Sequence, residues 1–390
     1  MSDDLIFAIA LDGAGWHPAA WRDAGIEQPT VFRAQYWVDQ VRRAEAAGAD
    51  FVTFEDALSV QSPERPGRLH GRLDAVQVAN FVARRTERIG LVPTTSVLET
   101  EPFHASTQLA TLDYTSEGRA GWKVQATRPG ENANFGRREA IAFGPELLST
   151  PEGLDELARA FDEAAEFVTV VRRLWDSWED DAVIRDTATG RYLDRDKLHH
   201  VRFDGSAFSI SGPSITPRPP QGQPLVTALA HAEIPYRLAA RAADVVFVTP
   251  IGDADAARIV SAVRTIEAVD RTEIEPLRIV ADLVVALGPS AAAARSRLDA
   301  WDALDGEEFR SDAATVAGPA AELADRIESL RADGIEGVRL RPASVHVDLP
   351  AIAEELVPEL RRRGLLPSAP AAGSLRDRLG LARPVNRYAA

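Results

Sequence analysis

A repeated two-part pattern constrains this chain most. Short apolar runs rich in β-branched residues alternate with amphipathic stretches. Residues 5–11 form a continuous apolar run stopped by Gly13, which reads as a strand buried on both faces. Over residues 32–47 Trp37, Val41 and Ala44 share one helical face, with Gly48 next along it. The same alternation predicts strands at 49–54, 89–96, 119–125, 225–228, 244–249, 277–287 and 337–340. Helices are expected at 74–85 (Val78, Phe81 and Val82 inward), 104–112, 154–175, 254–269 and 320–332, after residue 228, after Ser290 and around Leu349 to Leu360. Strand and helix at this spacing build a parallel sheet with right-handed crossovers. Eight such units predict an α/β fold, a (β/α)8 TIM barrel; an open doubly wound sheet is the competing architecture.

The rhythm pauses twice, at about 127–151 and 178–220, where Gly, Pro and charge replace a steady period and insertions are expected, the second with a short hairpin around 203–210. The barrel is expected to fill residues 1–364, and 365–390 to form a C-terminal extension. That extension is Pro- and Arg-rich and reads either as a disordered tail or as a docked one anchored by Leu375, Leu379 and Leu381. A formal charge of −15 argues against nonspecific binding to nucleic acid, which requires basic residues at the phosphates. The absence of Cys removes disulfides, thiolate nucleophiles and Cys-based metal sites. No apolar run is long enough for a membrane span, and the N-terminus lacks the features of a signal peptide, so a cytoplasmic protein is expected.

Three ordered blocks carry a resemblance. The first is Glu117-Gly118-Arg119-Ala120-Gly121-Trp122 with Asn134-Phe135-Gly136 downstream. The second is Leu174-Trp175-Asp176-Ser177-Trp178, and the third runs from Val357-Pro358-Glu359-Leu360 to Asn386-Arg387-Tyr388. Together they resemble the bacterial-luciferase-like flavin-dependent monooxygenases, in the branch of nitrilotriacetate monooxygenase component A and dibenzothiophene-sulfone monooxygenase. The resemblance implies a luciferase-like barrel with FMN at the C-terminal ends of the strands. It further implies reduced FMN from a separate NAD(P)H:flavin reductase, O2 activated as a C4a-(hydro)peroxyflavin, a small organic substrate and a homodimer or higher homo-oligomer.

Site residues follow from the same likeness. Asp56, at the end of the second strand, matches a flavin-side Asp, or it is a helix cap or loop salt bridge. Thr94 and Ser96 end the third strand as hydrogen-bond donors to the isoalloxazine edge, or as ordinary strand-end residues. His104 lies in Glu101-Pro102-Phe103-His104, similar to the family's E-P-Y-H, and is expected in the flavin site with possible catalytic duty. His17 follows Gly15-Trp16 and is expected to act on substrate as acid or base, since imidazole titrates near neutrality, or to be structural. Trp16, Trp122 and Phe54 are expected to wall the pocket, or to be core. The insertion at 178–220 is expected to cover the site and exclude water.

Two departures stand out. Lys123 replaces the family's Asn after Gly-Trp. The loop that would hold the FMN phosphate reads Thr227-Ala228-Leu229-Ala230-His231-Ala232-Glu233, without the family's glycines and serine. His231, Lys123 or Arg128 would then have to meet the phosphate, and Glu233 would repel it unless turned away. A deazaflavin-dependent oxidoreductase and a non-catalytic ligand-binding relative therefore stay open. No G-x-G-x-x-G follows a strand, so reducing equivalents are expected as free reduced flavin. No H-E-x-x-H, metal-ligand cluster or G-x-S-x-G elbow is present either.

Overall fold

The computed structural model describes residues 4–22, 30–60, 64–126, 149–252, 254–272, 275–369 and 371–389. Its first half runs β1 (Ile6–Leu11), α1 (Ala34–Ala47), β2 (Phe51–Phe54), α2 (Ala75–Ala83), β3 (Gly90–Ser96), α3 (Pro102–Thr115), β4 (Gly121–Gln125) and α4 (Pro151–Asp176). Two short hairpins follow, β5 (Val183–Asp186) with β6 (Arg191–Leu193) and β7 (Phe203–Asp204) with β8 (Ser209–Ile210). The second half is β9 (Leu225–Leu229), α5 (Glu233–Ala242), β10 (Val245–Val248), α6 (Asp255–Asp270), β11 (Arg278–Leu287), α7 (Ala291–Asp305), β12 (Ala314–Gly318), α8 (Ala320–Ala332) and β13 (Gly337–Pro342). The chain ends with α9 (Val345–Ala351), a π-helical turn (Ile352–Leu356), α10 (Val357–Arg362) and α11 (Leu375–Arg378). The π-helical turn ends two residues before Pro358, which has no N–H to give to the helix.

Eight parallel strands close in the order β1, β2, β3, β4, β9, β10, β11, β13 and back to β1, which excludes the open doubly wound sheet. The strands are buried on both faces because helices cover the outside and side chains fill the inside. β12 is a ninth strand that the sequence pattern did not reveal. It pairs with Leu283–Leu287, the upper half of β11, whereas β10 pairs with Arg278–Ala281 below. Only Gly318 of its five residues is buried, so β12 carries little of the apolar signal that marks the barrel strands.

The two ends of the barrel differ. At the N-terminal ends of the strands the interior is apolar, built from Ile6, Ala8, Phe51, Val92, Leu225 and Phe247 among others. The C-terminal extension closes this end. Leu375, Leu379 and Leu381 join that cluster, and α11 is held by a capping box between Ser374 and Asp377. Gly90 permits the contact, since a Cβ there would stand 2.7 Å from Leu375 Cδ1.

The insertion at 178–220 makes its described contacts on the outside of the barrel rather than across the mouth. They run along the outer side of α3 and α4 and to the tail. Phe203, Phe208 and Ile210 pack with Phe103, Val170 and Leu174. Ser206 donates from N to Glu166 Oε2 at 3.0 Å, and His199 stacks on Tyr388 at 5.0 Å. α4 runs down the outside of the barrel, so a segment leaving its C-terminus starts at the closed end, far from the mouth. The first expected insertion, at 127–151, and Arg128 lie largely or wholly outside the described residues.

Candidate active site

Above the apolar floor the barrel interior turns ionic. Period-two alternation puts Thr53 of β2, Thr94 of β3, Lys123 of β4, Asp282 of β11, and Arg339 and Arg341 of β13 on inward-facing positions. Glu55, just past β2, joins them. Lys123 Nζ is paired with Glu55 Oε2. Arg339 donates to Glu55 Oε1 at 3.2 Å, to Thr53 Oγ1 at 3.1 Å and, through Nε, to Asp282 Oδ1 at 2.7 Å. Its guanidinium lies 4.0 Å from the Phe247 ring centroid. Arg341 bonds the same Asp282 carboxylate and reaches Asp312 Oδ1 at 2.6 Å.

The chain of contacts ends at the rim. Asp312 lies 3.4 Å from His231 Nε2, and His231 Nδ1 meets Thr249 Oγ1 at 2.9 Å. Three cations (Lys123, Arg339, Arg341) therefore meet three carboxylates (Glu55, Asp282, Asp312). The balance matters because an unpaired charge in such a place is strongly destabilising. Burial pushes the Lys123 ammonium down to about 8, with Glu55 pulling the other way. Thr94 Oγ1, in register beside Lys123, is buried with no hydrogen-bond partner.

A cavity of about 220 Å³ opens at the mouth beside this layer. Trp16, Trp21, Phe32 and Trp37 supply aromatic walls, Arg72 a cation, and Glu55 connects it to the ionic layer. Aromatic walls with a few convergent polar groups suit a small organic molecule. Arg72 is tied to Asp12 at 2.6 Å. Across the mouth, α5 follows Ala232 without any side-chain cap, which leaves the Glu233 and Ile234 amides unclaimed by a side chain, Pro235 having no N–H. Glu233 turns along the helix to Arg237 at 2.9 Å, away from those amides.

Residues 14–337 match the luciferase-like monooxygenase family. The chain belongs to that family. It is 26% identical to N-acetyl-S-(2-succino)cysteine monooxygenase of Bacillus subtilis (strain 168), across 98% of this chain and 97% of that one. It is 27% identical to nitrilotriacetate monooxygenase component A of Aminobacter aminovorans, across 96% of each. A riboflavin lyase solved with modified FMN and riboflavin superposes with a TM-score of 0.82 at 24% identity, covering 96% of this chain and 95% of that one, and shows the shared fold.

Within this luciferase-like monooxygenase the expected residues divide. Thr94 and Lys123 lie together in the ionic layer. Ser96 is at its upper edge, its Oγ 3.4 Å from Glu99 Oε2. His231 is at the rim, where burial lowers its pKa while Asp312 raises it. His104 is exposed in the first turn of α3, whose N-cap Glu101 makes no capping bond. Trp16 lines the cavity.

Three others, Trp122, Phe54 and Asp56, sit elsewhere, and His17 lines the cavity from a buried position. Trp122 faces outward and packs between the barrel and α4, 6.0 Å from Phe167 and 6.4 Å from Trp175, with its indole N–H on Thr95 Oγ1. One residue from Lys123, it must take the opposite face of the strand. Phe54 is likewise core, 6.2 Å from Trp37. Asp56 accepts from Ala57 N at 2.8 Å and Ala75 N at 3.0 Å, so it holds the start of α2. His17 is buried between Trp301 and Phe309, at 5.3 and 5.1 Å. Its Nδ1 accepts from Ala19 N at 3.1 Å, which leaves Nε2 as the protonated nitrogen facing Asp302 at 3.1 Å. Both of its nitrogens are engaged, and burial lowers its pKa while Asp302 pulls the other way. Phe81, expected inward, is exposed under Arg85 at 4.8 Å.

The sequence reading missed Glu55, Asp282, Arg339 and Arg341. A signal existed: Asp282 interrupts an apolar strand, and Arg339 and Arg341 are two apart in another. Charges at same-face spacing in strands buried on both sides must point into the barrel and pair there.

Proposed function

We propose that this luciferase-like monooxygenase is the oxygenase component of a two-component system. It takes reduced FMN from a separate NAD(P)H:flavin reductase and inserts one atom of O2 into a small organic substrate. The observation that carries this reading is the end-to-end likeness to nitrilotriacetate monooxygenase component A, 96% of each chain. Two features of the mouth fit the cofactor. Thr94 Oγ1 is a buried polar atom awaiting a partner, and α5 presents uncapped amides with Glu233 turned away. The first suits the polar edge of an isoalloxazine, the second a phosphate.

Thr94, Ser96 and Lys123 would hold the ring edge, and the α5 amides with His231 the phosphate. His104 would add a donor at the start of α3. When bound, reduced FMN supplies the two electrons that allow one oxygen atom to enter the substrate while the other leaves as water. The protein's own groups do the rest. Glu55 keeps the Lys123 ammonium charged and fixed, so that positive charge stands under the site without reorganisation. The cavity walls orient the substrate and keep water from it. His17, locked to Asp302, sets the loop after β1 that carries Trp16.

Anaerobic titration with reduced FMN, oxidised FMN and a reduced deazaflavin tests the reading. Micromolar binding of reduced FMN, with one 18O atom from 18O2 recovered in product, is expected. Binding of the deazaflavin alone, or no flavin binding at about 1 mM, overturns it.

A further inference from the structure

A second cavity lies at the opposite end of the barrel, remote from the mouth and independent of the proposal above. Its volume is about 400 Å³, and it sits where the starts of β1, β11 and β13 meet the loop before β2, the end of α10 and the tail around α11. Four arginines line it: Arg278, Arg331, Arg361 and Arg378. They come from four separate stretches of chain, so no single helix or loop explains their convergence.

The described carboxylates around them are claimed unevenly, and Arg331 has an interaction of its own. Glu336 is shared between Arg264 at 2.6 Å and Arg278 at 2.9 Å. Asp377 closes the capping box of α11, accepting from Ser374 N at 2.9 Å. Asp50 accepts from Phe7 N at 2.9 Å, and burial pushes its carboxyl up to about 6 while the Arg378 charge nearby pulls it back. Asp4, at the edge of the cavity, has an interaction of its own. Arg361 and Arg378 are left with backbone acceptors. Arg361 Nε donates to Pro367 O at 3.2 Å, and Arg378 Nη2 donates to Asp50 O at 3.3 Å. Neither makes an ion pair with a described residue. The Nε atoms of Arg278 and Arg378 are buried and have no partner at all. Gly48 makes room for the Arg361 head, because a Cβ at its φ of +87° would stand 2.9 Å from Nη2.

Two guanidiniums, Arg361 and Arg378, that have no ion-pair partner among the described residues and share a cavity in a chain of net charge −15 form a site able to take an anion. We propose that this cavity binds a small, multiply charged oxyanion through Arg361 and Arg378, bridging the C-terminal tail to the barrel floor. Phosphate-bearing and polycarboxylate ligands share this chemistry, and the tail is one wall of the site. Occupancy therefore holds the tail in place from outside the leucine plug.

Isothermal titration of the full chain at low ionic strength tests the proposal, with inorganic pyrophosphate in one arm and citrate in the other. One site is expected, weakened by salt, and at least about tenfold weaker in Arg361→Gln, which removes a charged donor without touching the apolar plug. The arm with the tighter binding names the class. The bound anion should also slow tryptic cleavage after Arg376 and Arg378, an effect lost in Arg361→Gln. Circular dichroism checks that the variant is folded, and Arg378→Gln is the second probe. Absence of binding by either anion at about 10 mM overturns the proposal. So does binding that is unaltered in both variants, and if FMN displaces it that binding belongs to the mouth.

Discussion

Replacing Asp282 with asparagine removes one negative charge from the ionic layer and almost no volume. Asp282 is fully buried and holds two guanidiniums at once, Arg339 and Arg341, which are themselves almost fully buried. The substitution turns a balance of three cations against three carboxylates into three against two. Breaking a buried ion pair from one side costs about 3–5 kcal/mol, because the remaining charge is desolvated and unpaired. Arg339 keeps Glu55 and Arg341 keeps Asp312, so the loss stays within that range rather than doubling it. At about 2.1 cal/mol/K per residue, a chain of 390 residues unfolds with an entropy of about 0.8 kcal/mol/K. The melting temperature should therefore fall by about 4–6 °C, read by calorimetry at neutral pH. Adding Arg339→Met to Asp282→Asn should recover part of the loss, since the stranded guanidinium leaves with its partner. A fall below about 1 °C for Asp282→Asn would refute the shared-carboxylate account of the layer.

Three further outcomes are expected. Thr94→Val deletes the unpartnered hydroxyl, so it should leave melting temperature nearly unchanged while weakening reduced-FMN affinity by about 3- to 10-fold in an anaerobic titration, one hydrogen bond's worth; unchanged affinity removes Thr94 from the cofactor site. Asp50 has a folded-state pKa raised by burial to about 6, so its contribution to stability is complete below about pH 4 and is lost as pH rises through 6. Asp50→Asn should accordingly be stabilised relative to the parent above pH 6, with the gap narrowing toward pH 4; a gap independent of pH contradicts the assignment. Leu375→Ala opens a void in the plug at a fully buried position and should cost about 2–5 kcal/mol, with faster tryptic release of the tail as the second readout. Equal stability and protease resistance would show that the tail does not brace the barrel floor.

The barrel was legible because its strands are buried on both faces. Residues 5–11 and 277–287 read as apolar runs for that reason, and the helices between them read as stripes. The tail was legible only as a choice, settled by Leu375, Leu379 and Leu381 entering the same cluster as Phe51 and Phe247. β12 was not legible, because a half-exposed strand clipped onto the upper edge of β11 has neither an apolar run nor a clean alternation. The insertion at 178–220 was placed over the mouth on expected purpose alone. Its position follows instead from Phe203, Phe208 and Ile210, which need the apolar groove beside α3 and α4.

The site divides along the same physical line. Family likeness pointed to short stretches of chain, but it could not say which side chain in a stretch faces the barrel axis. Within Gly121-Trp122-Lys123 only strand alternation decides, and it sends Trp122 to the helix layer and Lys123 to the centre. In Glu55-Asp56 the same choice sends Glu55 inward and leaves Asp56 to hold α2. Lys123 brings its ammonium into that layer. An ammonium at that point needs a carboxylate within reach, and Glu55, already claimed by Arg339, is tolerable there only because Asp282 takes the other side of that guanidinium. Lys123 is therefore coupled through Glu55 and Arg339 to Asp282, 159 residues later in the chain. Lys123→Asn alone should lower the melting temperature, because it leaves Glu55 with one cation where the layer is built to give it two.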